Sequence, residues 1–399
     1  MKIGLIREGK VPPDTRVPLT PEQCTQIIQR FGLSIVAEPS PIRCFADDDY
    51  RRHGIPLQDG LSDCDILMGV KEVPVRMMIP GKSYFFFSHT IKKQAYNRDL
   101  LRAILAKNIR LIDYEVLTDE QGRRLIAFGK FAGMVGAHNG IMAYGERTGL
   151  FHLRRMKDCL DYAEAQQVYQ NLVLPPMKIV LTGTGRVASG AALVLRDMNI
   201  RQVSPTEFLH QKFEEAVFTQ LGSSDYVAPM NGTPYNRQEF HQLPEKYRSI
   251  FQPYYRIADV FINGIFWNNR APAFFTKEEM RCPDFHIQVI ADVTCDIAPL
   301  SSVPSTIRAS SIAQPVYGYD PQTEQETEPG LPAAIDIMAI DNLPSELPRD
   351  ASREFGNQFM RHILPELLRE YSPMIERATI AENGELGPHF KYLEDYVSG

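Results

Sequence analysis

Short apolar runs alternate with amphipathic runs through the first third of the chain. The apolar runs have the length of buried strands, and they cover residues 3–6, 34–37, 66–68, 84–87 and 109–112. Apolar residues at helical spacing over 24–31 and 100–106 predict helices between these strands. Strands that alternate with helices are typical of a parallel sheet with helices on both faces.

Local signals set the ends of the first predicted helix. Thr20 is a favourable N-cap residue, and the fixed backbone angle of Pro21 suits the first helical position. Gly32 ends the helix, because glycine adopts the left-handed conformation that closes many helices.

A second alternation of strands and helices begins near Lys178. Its predicted strands cover residues 179–181, 260–262 and 288–291, and its first helix covers 187–198. A segment rich in Gly, Ala and Met, residues 132–149, predicts the helix that links the two series.

Three further segments are interpreted from composition. Residues 211–255 are polar with scattered Pro, Gly and Asn, and we interpret them as an insertion without assigned elements. Residues 322–331 carry three glutamates and predict an exposed loop. Residues 351–371 predict a long amphipathic helix, kinked at Pro365 because proline lacks the N–H that the helix needs.

The length of the chain predicts two domains. A single compact core rarely grows beyond ~250–300 residues, and the chain has 399. We expect an α/β protein of two Rossmann-like parallel-sheet domains that flank an interdomain cleft. Residues 1–131 plus 342–399 would form the substrate domain, and residues 132–341 the dinucleotide-binding domain.

Composition excludes several classes of protein. The apolar content of 44% and the charged content of 23% are those of an ordinary globular protein. The net charge of −6 gives no support to nucleic-acid binding, and no apolar stretch approaches the ~20 residues of a membrane span. The six cysteines have no metal-ligand spacing, so we expect no metal site. A strand that begins at residue 3 leaves no room for a signal peptide, and we expect a cytoplasmic protein.

A glycine turn follows the first strand of the second series. Gly183, Gly185 and Ala188 form a Gly-x-Gly-x-x-Ala pattern between that strand and a helix. Glycine allows a tight turn and the close approach of a pyrophosphate, whose charge the helix N-terminus stabilises. The alternative is a structural glycine turn, but its position between strand and helix favours a dinucleotide.

The end of the following strand bears on the choice of cofactor. NAD sites often carry an acidic residue at this place. Here the chain has Arg201 and Ser204, with no acid before Glu207, which leans weakly towards NADP. Arg201 fits a solvated surface equally well, so NAD and NADP both stay open.

Two basic residues of the first series follow neighbouring apolar runs. Lys71 and His89 should therefore emerge at the carboxyl edge of the sheet, where ligands of open α/β sheets bind. A partly buried lysine and a histidine can exchange protons near neutral pH. Taken singly, each also fits a surface lysine or a structural histidine.

Charged residues nearby complete a candidate site. Glu115 follows the next strand, where it would either tune Lys71 or act as a structural counter-ion. Arg16 lies in the loop after the first strand and has the geometry to bind a carboxylate. Arg123 and Arg124 would add two more carboxylate ligands, or they are solvated charges of a hairpin turn.

These motifs resemble the lysine-forming saccharopine dehydrogenases, and in particular the lysine–2-oxoglutarate reductase half of the bifunctional lysine-degrading enzyme. The resemblance runs through residues 69–74, 86–92, 110–115, 127–133, 182–187, 262–267 and 340–352. It implies a reversible, nicotinamide-dependent condensation of L-lysine with 2-oxoglutarate to saccharopine.

The resemblance also implies roles. Lys71 would be the general acid–base of the carbinolamine and imine steps, His89 the group that exchanges a proton with the secondary amine, and Glu115 the carboxylate that tunes Lys71. Asp341 would lie near the nicotinamide and the substrate amine, a role that rests on the resemblance alone. The remaining candidates are substrate-binding Arg16, Arg123, Arg124 and Phe128, and cofactor-binding Gly183, Thr184, Gly185, Arg186, Val187, Ser204, Asn263 and Gly264.

Two alternatives stay open. An alanine dehydrogenase-like enzyme would share the arginine, lysine and histidine positions, but its substrate needs one carboxylate clamp, so the Arg123–Arg124 pair favours the larger substrate. A catalytically silent binding protein on the same scaffold is disfavoured, because Lys71, His89 and the glycine turn are all present. We expect small-molecule partners, with no nucleic acid or membrane, and the oligomeric state stays open.

Overall fold

The computed structural model describes residues 1–399, which form two compact units. Unit 1 contains Met1–Phe128 and Pro348–Gly399, and unit 2 contains Gly129–Leu347. The first division falls three residues before the one expected from the sequence, because the helix predicted over 132–149 begins at Gly129. The second falls at Leu347, where a proline-rich 3-10 turn gives way to a helix.

Seventeen strands occur along the chain. In chain order they are β1 (Lys2–Leu5), β2 (Ser34–Ala37), β3 (Ile66–Met68), β4 (Ser83–Phe86), β5 (Arg110–Asp113), β6 (Lys178–Thr182), β7 (Arg201–Gln202), β8 (Val217–Leu221), β9 (Val227–Pro229), β10 (Tyr247–Ser249), β11 (Val260–Asn263), β12 (Val289–Asp292), β13 (Val316–Asp320), β14 (Gln325–Thr327), β15 (Ile335–Met338), β16 (Thr379–Glu382) and β17 (Glu385–Leu386).

Fifteen α-helices accompany them. They are α1 (Pro21–Phe31), α2 (Asp47–Arg52), α3 (Arg98–Ala106), α4 (Gly129–Thr148), α5 (Tyr162–Tyr169), α6 (Arg186–Asp197), α7 (Pro205–His210), α8 (Ser223–Tyr226), α9 (Arg237–Gln242), α10 (Gln252–Tyr255), α11 (Lys277–Met280), α12 (Pro348–Gln358), α13 (Leu364–Leu367), α14 (Pro373–Ala378) and α15 (Glu394–Ser398). None is long and apolar enough to cross a membrane.

Unit 1 is built on a seven-stranded sheet in the order β17-β16-β5-β4-β3-β1-β2. The strands β1 to β5 pair in parallel, and the hairpin β16–β17 adds an antiparallel edge. Apolar clusters lie on both faces of this sheet. The five parallel strands predicted from the sequence are confirmed, with both ends of each strand within one residue of the prediction.

The first helix of unit 1 has the predicted ends. Thr20 caps α1 by accepting the N–H of Gln23, and the Gln23 side chain accepts the N–H of Thr20 in return. Gly32 closes the helix with φ 64°, the left-handed conformation that glycine adopts without strain.

Unit 2 is built on an eight-stranded sheet in the order β14-β13-β15-β12-β11-β6-β8-β7. In this order, the six strands from β15 to β7 pair in parallel. The remaining two strands, β13 and β14, are antiparallel to their neighbours. A buried cluster rich in Phe and Tyr covers one face of the sheet.

Three interpretations of the sequence are corrected here. The polar segment 211–255 supplies β8, which pairs with β6 in the middle of the sheet, so this segment is not wholly an insertion. The segment 322–331 includes β14, which forms a hairpin with β13. The helix predicted over 351–371 runs without a break from Pro348 to Leu367, as α12, a π-turn over Phe359–Ile363 and α13, and it ends four residues before the predicted end. The π-turn directly precedes the helix that carries Pro365, where the missing N–H interrupts regular α-helical bonding.

Glycines bring α4 and α6 into backbone contact. A Cβ atom at Gly133 would lie 1.8 Å from the carbonyl oxygen of Val187, and one at Gly190 would lie 2.0 Å from that of Lys130. Neither position can hold a side chain without separating the two helices. The start of α6, which follows the glycine turn, is thereby fixed against α4.

Candidate active site

The parallel register of unit 1 brings four strand ends to one level. Leu5 pairs with Met68, Met68 with Phe85, and Phe85 with Ile112. The polar residues Glu8, Lys71, His89 and Glu115 follow this row by three or four positions, on β1, β3, β4 and β5 respectively. The sheet therefore places their backbones along one carboxyl edge, as the sequence predicts for Lys71, His89 and Glu115.

Lys71 is half-buried, and its ammonium group makes no ion pair in the structure. Burial lowers the pKa of Lys71, and the positive charges of Arg16 and Lys10 lower it further, while Asp14 and Glu72 oppose the shift. A lysine whose charged form is disfavoured can give and take a proton closer to neutral pH.

His89 is held by a carboxylate that the sequence analysis did not single out. Its Nδ1 lies 2.6 Å from Glu72 Oε1, and its ring stacks on Phe87 with 6.3 Å between centroids. Lys10 Nζ donates to the other oxygen of Glu72 at 2.8 Å. Burial alone would raise the pKa of Glu72, but the hydrogen bonds from His89 and Lys10 lower it to about 2. An ionised Glu72 accepts from Nδ1 and leaves Nε2 of His89 for exchange with a substrate.

Glu115 does not pair with Lys71. It lies 3.5 Å from Lys92 Nζ and 3.7 Å from an Arg124 nitrogen, so it acts as a counter-ion to these two cations. The carboxylates whose charges act on Lys71 are Asp14 and Glu72. Glu72 directly follows Lys71 in the sequence, which is the signal that could have identified it.

Arg16 is buried and already has a carboxylate partner. Its Nε and a terminal nitrogen donate to the two oxygens of Asp14 at 2.9 and 2.6 Å, and its guanidinium lies 4.2 Å from the centre of the Phe128 ring. Burial would raise the pKa of Asp14, but Arg16 holds it well below its usual range. Phe128 in turn stacks on Phe355 at 5.0 Å. The structure thus unites the two predicted substrate ligands Arg16 and Phe128.

The arginine pair separates into two different environments. Arg123 is exposed in the turn of a hairpin and pairs with Asp119 at 2.7 Å, as the alternative interpretation of a solvated turn predicts. Arg124 is half-buried, donates to the carbonyl of Ile126 and lies 5.3 Å from the centre of the Phe87 ring. Of the two, Arg124 lies on the side of Glu115 and Phe87.

The glycine turn of unit 2 has the shape that a dinucleotide needs. Gly183 has φ 102°, and a Cβ there would lie 2.7 Å from the carbonyl oxygen of Gly264. Gly185 has an ordinary φ of −87° and nothing within 4 Å of a Cβ position. No protein contact requires a glycine at 185, which fits a position kept bare for the approach of a phosphate. Thr184 precedes it, and Arg186 and Val187 begin α6, whose first N–H groups lack partners within the helix.

The strand that pairs with β6 is β8 and not β7. The predicted position of the ribose contact therefore moves from the end of β7 to the end of β8. Ser204 follows the edge strand β7, and its hydroxyl caps α7 by accepting the N–H of Glu207. Arg201 pairs with Glu215 at 2.7 Å. Neither residue follows the neighbour of β6, so the assignment of Ser204 and the lean towards NADP lose their basis. The acid that follows β8 is Asp225, which accepts the N–H of Gly222 at 2.7 Å.

The two cofactor candidates after β11 differ in role. Asn263 is fully buried, where it donates to Asp292 at 2.8 Å and to Ser302 at 2.9 Å. Its side chain ties β11 to β12 and is not directed to a ligand, which corrects its assignment as a cofactor contact. Gly264 packs against Gly183 at the same edge. Asp341 is exposed beyond the carboxyl end of β15, in the same parallel set.

Comparisons with known proteins find similar sequences over most of the chain. Residues 4–135 match the family model described as alanine dehydrogenase/PNT, N-terminal domain. The chain is 28% identical, over 98% of its length, to the mitochondrial alpha-aminoadipic semialdehyde synthase of Mus musculus. It is 26% identical to the saccharopine dehydrogenase (NAD(+), L-lysine-forming) of Neurospora crassa, over 91% of each chain.

The chain is related to the lysine-forming saccharopine dehydrogenases and to alanine dehydrogenase. It spans about half the length of the semialdehyde synthases that it matches, 47% for Mus musculus and 41% for Arabidopsis thaliana.

Solved structures show the same fold. An L-alanine dehydrogenase superimposes with a TM-score of 0.69 at 18% identity and covers all of both chains. A transhydrogenase from Sinorhizobium meliloti superimposes with a TM-score of 0.58 at 13% identity, over 96% of this chain and 98% of that one. The predicted α/β class with Rossmann-like parallel sheets is confirmed.

Proposed function

We propose that the chain is an NAD(P)-dependent oxidoreductase that interconverts saccharopine with L-lysine and 2-oxoglutarate. The observation that carries the proposal is the set of proton-exchanging groups at the edge of unit 1, where Lys71 is held unpaired and His89 is oriented by Glu72. The similarity to saccharopine dehydrogenase and to alpha-aminoadipic semialdehyde synthase over 91% and 98% of the chain supports this substrate class.

The first steps of the condensation need an acid–base group. Lysine adds through its amine to the keto carbon of 2-oxoglutarate, and the resulting carbinolamine loses water to give an imine. In our proposal Lys71 gives and takes the protons of these two steps, because its lowered pKa brings the two protonation states closer in energy.

The secondary amine of saccharopine gains or loses a proton in the later step. His89 is suited to this exchange, because Glu72 accepts from Nδ1 and leaves Nε2 for the amine. The same contact orients the imidazole ring towards the substrate side. Asp341 is proposed to stabilise the positive charge on the substrate amine, at the edge of the other sheet.

We propose that the nicotinamide dinucleotide binds at the glycine turn of unit 2. Gly183, Thr184, Gly185, Arg186 and Val187 would hold its pyrophosphate, since the position at Gly185 is bare and α6 begins directly after it. When bound, the dinucleotide supplies or accepts the hydride of the reaction. Whether it is NAD or NADP is left to experiment.

Arginine side chains are proposed to bind the substrate carboxylates. Saccharopine has three carboxylates, and unit 1 offers Arg16 beside Phe128 and Arg124 beside Phe87. The Phe87 ring orients the guanidinium of Arg124 for a carboxylate, whereas Arg16 would bind one only alongside the Asp14 carboxylate that it already holds.

One assay panel tests the proposal. Oxidation of NADH and of NADPH is followed with 2-oxoglutarate plus L-lysine, and separately with pyruvate plus ammonia. We expect turnover with the first pair of substrates only. Turnover with pyruvate plus ammonia alone would assign the chain to the alanine dehydrogenase reaction, and nicotinamide binding without turnover on either pair would favour a silent binding protein.

A further inference from the structure

Beside the segment that carries Lys71, the Glu8 carboxylate accepts the backbone hydrogen bonds that a neighbouring strand would otherwise accept. Up to Ile6 the backbone continues the ladder, since its N–H donates to the Met68 carbonyl at 3.0 Å. Beyond this point the N–H groups of Val70 and Lys71 donate to the two oxygens of Glu8, at 2.6 and 3.0 Å. Two consecutive amides are thus held by one side chain.

The opposite side of this segment is held by backbone alone. Gly69 N–H donates to the Phe85 carbonyl at 2.9 Å, and Phe87 N–H donates to the Val70 carbonyl at 3.0 Å. A Cβ at position 69 would lie 2.7 Å from the Ile6 side chain and 3.3 Å from Glu8 Oε1, so glycine leaves room for both side chains. The segment is therefore held by backbone hydrogen bonds on one side and by the Glu8 carboxylate on the other side.

We propose that Glu8 is a positioning residue that fixes the ammonium group of Lys71 by holding the backbone amides of Val70 and Lys71. The inference rests on the proposed acid–base role of Lys71. Lys71 has no ion pair that would anchor its ammonium group, so the backbone of this segment decides which region the side chain reaches.

Stability does not explain a carboxyl group at this place. Burial raises the pKa of Glu8 to about 8, against the two backbone hydrogen bonds, and the negative charge of Asp14 adds to the shift. Arg16 opposes it, and both residues line a small cavity together with Glu8, Ser40 and Arg43. Keeping Glu8 ionised would therefore cost stability, and what the group contributes is its two hydrogen bonds to the Lys71 segment.

The test compares Glu8→Gln with Glu38→Gln. Glutamine keeps the shape of Glu8 but offers one acceptor and turns a donor towards the second amide. Glu38 is a control of the same residue type, because it accepts one backbone N–H, that of Arg7 at 3.0 Å, and does not contact the Lys71 segment.

Two readouts need no substrate. Hydrogen exchange of the peptide over residues 66–73 should be at least tenfold faster at Val70 and Lys71 in E8Q than in the native chain. The rate at which an amine-reactive reagent labels Lys71, followed by mass spectrometry across pH, should shift along the pH axis. E38Q should match the native chain in both. Unchanged exchange, or faster exchange with unchanged labelling, would overturn the proposal.

Kinetics provide the third readout. In E8Q we expect kcat for reductive condensation to fall at least tenfold and its pH profile to move, with the KM for the nicotinamide within twofold of the native value. An unmoved pH profile would count against positioning. If the native chain turns over no substrate, the proposed function fails, while exchange and labelling still decide the role of Glu8. If E8Q does not fold, Glu8→Asp, which keeps the charge but loses reach, is judged by the same measurements.

Discussion

The proposed reaction uses Lys71 and His89 for proton exchange, and their surroundings differ. Lys71 is partly removed from water and faces the positive charges of Arg16 and Lys10, so its charged form is disfavoured. His89 is oriented by the Glu72 carboxylate, which is itself kept ionised by its hydrogen bonds. An acid–base pair of this kind depends on single side chains, and single substitutions test it.

Replacing Lys71 by methionine keeps the length of the side chain and removes the proton. We expect turnover to fall by about 10²–10⁴-fold, the usual contribution of a general acid–base group, with nicotinamide affinity nearly unchanged. Steady-state kinetics and a fluorescence titration with NAD(P)H measure the two quantities. Lys93→Met, which removes a surface lysine paired with Asp395, is the control and should act as the native chain. Lost nicotinamide binding with normal residual turnover would refute the catalytic role.

Arg124 and Arg123 are adjacent in the sequence and form a natural pair of test and control. Arg124→Ala should raise the KM for 2-oxoglutarate by about 10-fold or more, and more than that for lysine, because a charge-assisted hydrogen bond contributes about 1.5–3 kcal/mol and 2-oxoglutarate has two carboxylates. Arg123→Ala should leave both constants unchanged, since Arg123 is exposed and pairs with Asp119. Equal effects on the two substrates would contradict a carboxylate clamp.

At the scale of elements, the turn between β6 and α6 carries two glycines with different requirements. Position 183 requires glycine because its φ is positive and because the Gly264 carbonyl leaves no room for a Cβ atom. Gly185 has neither requirement within the protein. The position of α6 itself is fixed by its backbone contact with α4.

The two glycines therefore predict opposite phenotypes. Gly185→Ala should fold with an unchanged melting temperature but bind NAD(P)H at least tenfold more weakly, because the added methyl group enters the space left for the pyrophosphate. Gly183→Ala should lower stability by about 1–3 kcal/mol, the cost of a strained backbone. Thermal unfolding and fluorescence titration measure these effects. Native-like affinity in G185A would rule out a pyrophosphate at this turn.

At the scale of the whole molecule, each unit places a carboxyl group with a raised pKa at the carboxyl edge of its parallel sheet, half-buried in unit 1 and fully buried in unit 2. In unit 1 this group is Glu8, and in unit 2 it is Asp292, which accepts from Asn263 and from Thr306 at 2.8 and 2.6 Å. Burial raises the pKa of Asp292 to about 6, against these hydrogen bonds. Such groups make the stability of the chain depend on pH.

The sign of the Asp292 contribution follows from its raised pKa. The folded chain holds the proton more tightly than the unfolded chain, so the stabilisation is complete below about pH 4 and is lost as pH rises through 6. A shift from 3.8 to about 6 corresponds to roughly 3 kcal/mol. Urea unfolding at pH 4 and 7 measures the free energy of unfolding of the native chain and of Asp292→Asn. We expect this free energy to fall less between pH 4 and pH 7 in the variant. The same loss in both would contradict this account.

Several features of this protein were determined by the sequence itself. The alternation of strands and helices, the capped α1, the turn at Gly183 and the positions of Lys71 and His89 after neighbouring strands all follow from it. These features depend on periodicity, capping and backbone freedom within a few residues, which are local properties of the chain. The resemblance to the saccharopine dehydrogenases extended the prediction to a substrate class, which is a proposal.

Tertiary structure alone decided which groups meet. It placed β8 beside β6, paired Glu115 with Lys92 and Arg124 instead of Lys71, and used the buried Asn263 to join two strands. It also brought Glu72 to His89, and Glu8 to the amides of Val70 and Lys71, 62 and 63 residues away. Pairings across such distances are set by the order and register of the sheet. Those properties arise from packing of the whole core, and no short stretch of sequence encodes them.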